Sequence, residues 1–407
     1  MSTSADSPNM LPIERRSAAS LAGIFALRML GLFLILPVFA VYARGLPGGD
    51  NHLLVGLTLG IYGLTQGILQ VPFGIASDRI GRKPVIIFGL AIFAIGSAMA
   101  AISDTITGVM IGRAIQGAGA VSAAVTAMLA DSVRDRVITR AMALIGSSIG
   151  LTFAFSLIAS PILSQSIGVP GLFWLTAILS TLAIFVMQWI VPMPAGQKTA
   201  PGGKHQPWQK VVFDAQLLRL NAGIFTLHLV LMALFVVIPV RLVALGLPLR
   251  SHWHIYLPAV LLSFAFMMPL IIRAERSGKT KLLFLSSIAV VALVFVGFAC
   301  FGGSIVCISG LLLVFFIGFN ILEASLPSLV TKTAPPTDKG LALGVYNTTQ
   351  SIGLFAGGAI GGWLSNRFGP YGVYAFSAAL MLLWLALAAG MQTPKKRQSG
   401  EEIDLAN

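Results

Sequence analysis

The sequence predicts an all-α integral membrane protein whose twelve transmembrane helices form two pseudo-symmetric halves of six. Three observations predict it: a composition too apolar for water, apolar runs long enough to cross a bilayer, and a repeat spaced by 200 residues. Of 407 residues, 56% are hydrophobic and 10% charged, and the mean hydropathy is +0.88. A soluble domain carries about a quarter charged residues, so the bilayer is this chain's solvent. The repeat is plainest where AGIFALR (22–28) returns as AGIFTLH (222–228). It continues in GLP at 45–47 and 246–248, and in LPV at 36–38 against IPV at 238–240. PFGIASDRIGRK (72–83) has a fainter echo in PLIIRAERSGKT (269–280), which pairs Asp78 with Glu275, Arg79 with Arg276 and Gly81 with Gly278. Several matches in order at a nearly constant offset argue for duplication, with a site at the interface of the repeats.

Each element follows from an apolar run. Glu14, Arg15 and Arg16 precede roughly 24 apolar residues, whereas a signal peptide core has about 7–15, so the first run reads as an uncleaved span. Spans fall at 19–43, 53–76, 84–103, 106–130, 141–165 and 170–192, closing an N-terminal half over 1–193. A polar linker occupies 194–219, with AGQKTAPGGKHQPWQK at its heart. The second half, 220–393, has spans at 220–245, 253–272, 282–300, 304–329, 340–365 and 370–391, and a tail follows at 394–407.

The net charge of +13 sits in short segments between spans. One side collects Arg15, Arg16, Arg79, Arg82, Lys83, Arg134, Arg136, Arg140 and the linker lysines. It also collects Arg273, Arg276, Lys279, Lys281, Lys332, Lys339 and the tail cations, while the other side has Arg44, Arg241, Arg250 and Arg367. By the positive-inside rule the rich side is cytoplasmic, with both termini and the linker inside. This pattern accounts for the basic balance without a nucleic-acid partner. Cys300 and Cys307 flank a short turn and read as two inert thiols or a local disulfide, and no metal-ligand spacing appears. No nucleophile constellation or phosphate loop appears either, which argues against an enzyme and against ATP-driven transport.

Two motifs carry a family resemblance. GIASDRIGRK (Gly74 to Lys83) fits the G-x-x-x-D-R-x-G-R-K signature of the major facilitator superfamily, and GRAIQGAGA (112–120) is similar to its R-x-x-Q-G-x-G-A motif. The first span, LRMLGLFLILPV, resembles the drug:proton antiporter branch. Some relatives carry a further soluble C-terminal domain, and none is expected in this chain. In the fifth span, where antiporters show G-P followed by small residues, Ser160-Pro161-Ile162-Leu163-Ser164 departs from the pattern. Gly74 and Gly81 allow close packing and a tight turn. The resemblance implies that Asp78, Arg79, Arg82, Lys83 and Asp131 form a cytoplasmic gate, with Asp78 meeting the start of the eleventh span when the outer side is open. The other reading is that these cations only set topology.

Ionisable groups inside the bilayer are costly and default to function. Arg28 lies ~14 Å into the first span and Glu323 ~9 Å from the cytoplasmic end of the tenth, at 1.5 Å per residue. His228 occupies the repeat position of Arg28. The three are expected to share one level of a central cavity. Glu323 reads either as a proton carrier, since a carboxyl moved between dry and cation-lined settings gains and loses a proton, or as a static partner of Arg28. His228 is an alternative carrier or a packing residue. For Arg113 the resemblance suggests a part in proton transfer or cavity electrostatics, and hydrogen bonding to helix carbonyls is the alternative. Gln66, Gln116, Asn320, Asn347 and Gln350 are candidate cavity contacts, or polar glue between helices.

Taken with the resemblance, these residues predict proton-coupled efflux of small lipophilic or drug-like molecules by alternating access. The expected partners are a small-molecule substrate and the lipid bilayer, with no nucleic acid or obligate protein partner. No cofactor is expected, protons being the coupling ion, and the location is a bacterial inner membrane. A proton-independent facilitator of sugars or metabolites, and a non-transporting sensor on the same fold, are the alternatives.

Overall fold

A computed structural model of the chain describes residues 10–119, 121–134, 137–192, 208–335 and 338–391. The heart of the linker and the tail therefore lie outside the described residues. All regular structure among the described residues is helical. The first half comprises α1 (Pro12–Phe33), α2 (Leu36–Tyr42), α3 (His52–Ile80), α4 (Arg82–Ala101), α5 (Ile106–Ala118), α6 (Ser122–Ser132) and α7 (Ile138–Phe185). A short α8 (Trp208–Val212) precedes α9 (Ala215–Ala244), α10 (Trp253–Arg276), α11 (Thr280–Phe301), α12 (Ile305–Thr333) and α13 (Lys339–Ala389). The segment expected as linker to 219 thus ends in helix. Asp214 is the reason: its carboxylate accepts from the backbone N–H groups of Gln216 and Leu217 at 3.0 and 2.9 Å and starts α9.

Ten helical stretches among the described residues are apolar and long enough to cross a membrane. Two of them, α7 with 48 residues and α13 with 51, are more than twice the ~20 residues a crossing needs. Each is broken by a glycine in the left-handed region, Gly168 (φ 69°) and Gly369 (φ 65°), with a proline just after. The two parts of each helix pack on different partners. Before its break α13 runs parallel to α9, with Gly353, Gly357 and Gly361 against Phe225, Leu229 and Ala233 in turn. After the break Tyr374 stacks on Phe298 and Trp384 meets Phe284, so that part runs antiparallel to α11. Counted as two passes each, α7 and α13 bring the total to the twelve read from hydropathy.

Two expected spans are discontinuous. The first breaks at Leu34–Ile35, just before Pro37, whose ring removes a backbone donor. The fourth is interrupted after Ala118, at Gly119, where a methyl group would lie 2.4 Å from the Gly89 carbonyl oxygen of α4, and helix resumes at Ser122.

The two halves meet along α3 and α13. A methyl group on Gly60 would lie 2.8 Å from the Phe355 carbonyl oxygen, and one on Gly63 2.5 Å from that of Ser351. Gly56 packs as closely on Gly358, and Gly362 on the His52 carbonyl. Small residues are what let helix backbones approach like this in a membrane. The contact row ends at Gly67. Further along α3, Gly74 faces Ala123 of its own half, and on α13 Gly344 and Gly340 have nothing within 4 Å. The helices therefore touch at the end carrying Asn51 and splay toward the basic end, which carries the Gly81 turn.

Candidate functional site

Three of the intramembrane polar residues come together in the second half. α9 supplies His228, α12 Glu323 and α13 Gln350. The Gln350 side-chain amide lies 2.7 Å from His228 Nε2 and donates to Glu323 Oε1 at 3.4 Å. His228 Nδ1 lies 3.3 Å from the Ile224 carbonyl, an acceptor, so an Nδ1–H donates there. His228 Nε2 also lies 3.8 Å from Glu323 Oε2. His228 is buried, whereas the Glu323 side chain is 30% exposed. Glu323 Oε2 is enclosed and makes no hydrogen bond, which leaves an oxygen able to take a proton.

One turn along α12 from Glu323, Phe319 packs on His228 (centroids 5.9 Å apart) and on Phe153 of α7 (6.0 Å). Phe153 in turn meets Phe316 and, from α1, Phe33. An aromatic cluster shared by both halves thus borders the carboxylate.

Arg28 does not join this group. Its guanidinium donates to Ser122 Oγ at the start of α6, and it forms no ion pair with Glu323 among the described residues. The static Arg28–Glu323 pair is therefore absent among the described residues, because Arg28 lies on the face of α1 turned into its own half, toward Ser122. Arg113 is also committed within the first half. Fully buried, it donates to the carbonyls of Gly31 (3.0 Å) and Leu59 (3.4 Å) and to Gln116 Oε1 (2.7 Å), with Tyr62 beneath it at 4.8 Å. Gln116 passes the chain on to Ser97 at 2.8 Å. This ties α1, α3, α4 and α5 together, the geometry of the carbonyl-bonding reading. Asn320 likewise donates to Ser263 of α10 at 2.9 Å. Gln66 is buried with its Oε1 unpartnered, and Asn347 is half-buried on α13. Cys300 and Cys307 are both free thiols.

At the basic end, Gly81 (φ 110°) makes the turn from α3 to α4. Arg82 pairs with Asp78, donates to Ser77 Oγ at 2.8 Å and pairs with Asp131 at 3.0 Å. Lys83 donates to the Gln188 carbonyl at 2.7 Å, and Arg79 is exposed. Asp78, Arg79, Gly81, Arg82 and Lys83 thus stand at one turn, Asp131 reaches it from the end of α6, and Gly74 lies further back along α3 against Ala123.

Two contacts escaped sequence reading. Glu14 is 3% exposed and receives three hydrogen bonds from Arg134, at 2.9, 2.9 and 3.1 Å, and one from Leu11 N at 2.8 Å. Its signal was an acid beside Arg15 and Arg16, where topology calls only for cations. The other is His52 Nδ1 with Ser365 Oγ at 2.8 Å, which joins α3 to α13 at the end opposite the basic turns. Nothing local marks a histidine and a serine 313 residues apart as partners. Replacing His52 by Ala should loosen that end. A cysteine at Val240 in a Cys300→Ser, Cys307→Ser background should then react several-fold faster with an impermeant maleimide, and an unchanged rate would remove the contact's role.

The fold and its buried polar groups define a class: a polytopic helical membrane protein of two repeated halves, each with ionisable residues buried inside it. The sequence profile of the Major Facilitator Superfamily matches residues 21–358 and 317–405, and the chain belongs to that superfamily. It is 42% identical over 391 residues to the inner membrane transport protein YajR of Escherichia coli, covering 95% of this chain and 85% of that one. Quinolone resistance protein NorA of Staphylococcus aureus is 35% identical over 106 residues, 25% of this chain. Among solved structures, the human organic anion transporter MFSD10 superposes with a TM-score of 0.70 at 17% identity, covering 93% of this chain and 100% of that one. An auto-inhibited POT family peptide transporter gives 0.68 at 14% identity, covering 94% and 99%. The chain is a multi-pass membrane transporter and not an enzyme.

Proposed function

We propose that the chain exports small lipophilic, drug-like molecules in exchange for protons, by rocking of its two halves. The observation that carries this reading is the Glu323–His228–Gln350 group beside an aromatic cluster contributed by both halves. Glu323 has an oxygen without a hydrogen-bond partner, and it takes a proton in one conformation and releases it in the other. A lipophilic substrate occupies the aromatic surface, and coupling needs only that proton and substrate bind the two conformations with different affinity. With the basic end cytoplasmic and both termini inside, the splay of α3 from α13 toward that end is an inward-open state. When the outer side opens, the Gly74–Lys83 turn locks the halves at the cytoplasmic face. The resemblance to NorA over a quarter of the chain supports the drug-like substrate class.

The test is substrate-triggered proton movement in proteoliposomes, with a panel of lipophilic cations and sugars, comparing wild type with Glu323→Gln. Proton counterflow in the wild type that falls at least tenfold in the variant is expected. Substrate flux with no proton movement would overturn the reading in favour of a facilitator.

A further inference from the structure

We infer that Arg28 and the amino-terminal turn of α6 form a carboxylate-binding site inside the first half of the transporter, separate from the Glu323 group. α6 has 11 residues and begins at Ser122, within the apolar stretch Ile106–Ser132 and not at its edge. The first N–H groups of a helix have no intrahelical acceptor, and the helix dipole makes that end positive. A capping side chain normally answers this, but the N-cap here is Val121, which has no oxygen to offer, and no side-chain cap is made.

Arg28 is aimed at the same point. It is 2% exposed, and its Nη1 donates to Ser122 Oγ, on the first residue of α6. Its Nε and Nη2 make no hydrogen bond. These two nitrogens form the side-on edge of the guanidinium, two parallel N–H donors whose spacing matches the two oxygens of a carboxylate. Arg113 in the same half spreads its charge over two carbonyls, the Gln116 amide and the Tyr62 ring. Arg28 has one hydroxyl and the Phe25 ring at 5.9 Å.

No acid among the described residues of the first half is placed to serve Arg28. Among the described residues, Glu14 is held by Arg134 and Asp131 by Arg82, while Asp78 pairs with Arg82 at the basic turn. Asp50 and Asp104 stand outside the helices, at the opposite end. A buried cation with its donor edge unanswered is costly in a membrane. A carboxylate seated between that edge and the positive end of α6 removes both penalties together. Its source is either a free small carboxylate or the carboxylate of a transported molecule.

The experiment is thermal unfolding of the full-length protein in detergent, titrated with sodium acetate against sodium chloride at equal ionic strength. Acetate should raise the midpoint saturably by about 2 °C or more, chloride should not, and the rise should vanish in Arg28→Gln. Glu323→Gln should keep the rise, which separates this site from the proton-coupling reading. Ser122→Asp guards against simple misfolding: it supplies an internal carboxylate, so the variant should melt above wild type and no longer respond to acetate. A benzoate flux in proteoliposomes that Arg28→Gln abolishes would assign the carboxylate to cargo, and stabilisation without flux would assign it to a resident ion. An acetate effect matched by chloride, surviving Arg28→Gln, or absent from the wild type would overturn the site.

Discussion

Leucine in place of Gly358 should lower transport by at least tenfold while the protein still inserts and folds as two halves. Gly358 stands where α13 crosses α3, with the Gly56 carbonyl against the position its side chain would take and Gly60 about it. An isobutyl group there has backbone on the far side, not a flexible side chain, so the helices must move apart to admit it. Membrane helices are held together by close packing, and the seal between Asn51 and Gly67 opens once backbone contact is lost. Gly344→Leu, four turns nearer the basic end, is the counterpart. It meets nothing within 4 Å in this conformation, so it should leave this state intact and hinder only the one in which the basic ends close. Maleimide labelling of a cysteine at Val240 reads the difference, rising in Gly358→Leu and not in Gly344→Leu. Equal labelling in both variants would refute the rocking geometry.

Alanine in place of Arg134 should cost about 3 kcal/mol of stability, near the lower edge of the range for stripping one partner from a buried ion pair. Glu14 is nearly enclosed, and the guanidinium supplies two of its four hydrogen bonds. The backbone N–H groups of Leu11 and Arg134 remain in the variant and limit the loss. The damage should also reach transport, because Arg134 is three residues beyond Asp131, whose carboxylate holds Arg82 at the basic turn. Glu14→Gln keeps two polar atoms at the site but removes the charge, so it should unfold between wild type and Arg134→Ala. Thermal unfolding in detergent gives the order, and an Arg134→Ala midpoint equal to wild type would show that the pair is not a clamp.

Much of the fold was legible before any contact was known. Apolar run lengths marked the ten long apolar stretches and put two runs within each of α7 and α13, because burial in lipid is a property of about twenty consecutive residues. The repeat predicted more than helix count: Gly81 and Gly278, paired by sequence, both hold positive φ at equivalent turns. The breaks at Leu34–Ile35 and at Gly119 were not legible, since proline and glycine also occur inside unbroken helices here, as Pro239 does in α9.

The candidate residues divide in the same way. Glu323, His228, Arg28 and Arg113 stood out as ionisable groups in apolar runs, and sequence by itself determined their depth, since depth is a count of residues at 1.5 Å each. Tertiary structure alone decided their partners. Each residue along a helix turns the side chain by about 100°, so two groups at one depth can face each other or face apart. His228 and Glu323 lie on helices that pack side by side, and Gln350 joins them from a third. Arg28 is turned into its own half, toward Ser122, and only the packing of α1 on α6 could point it there.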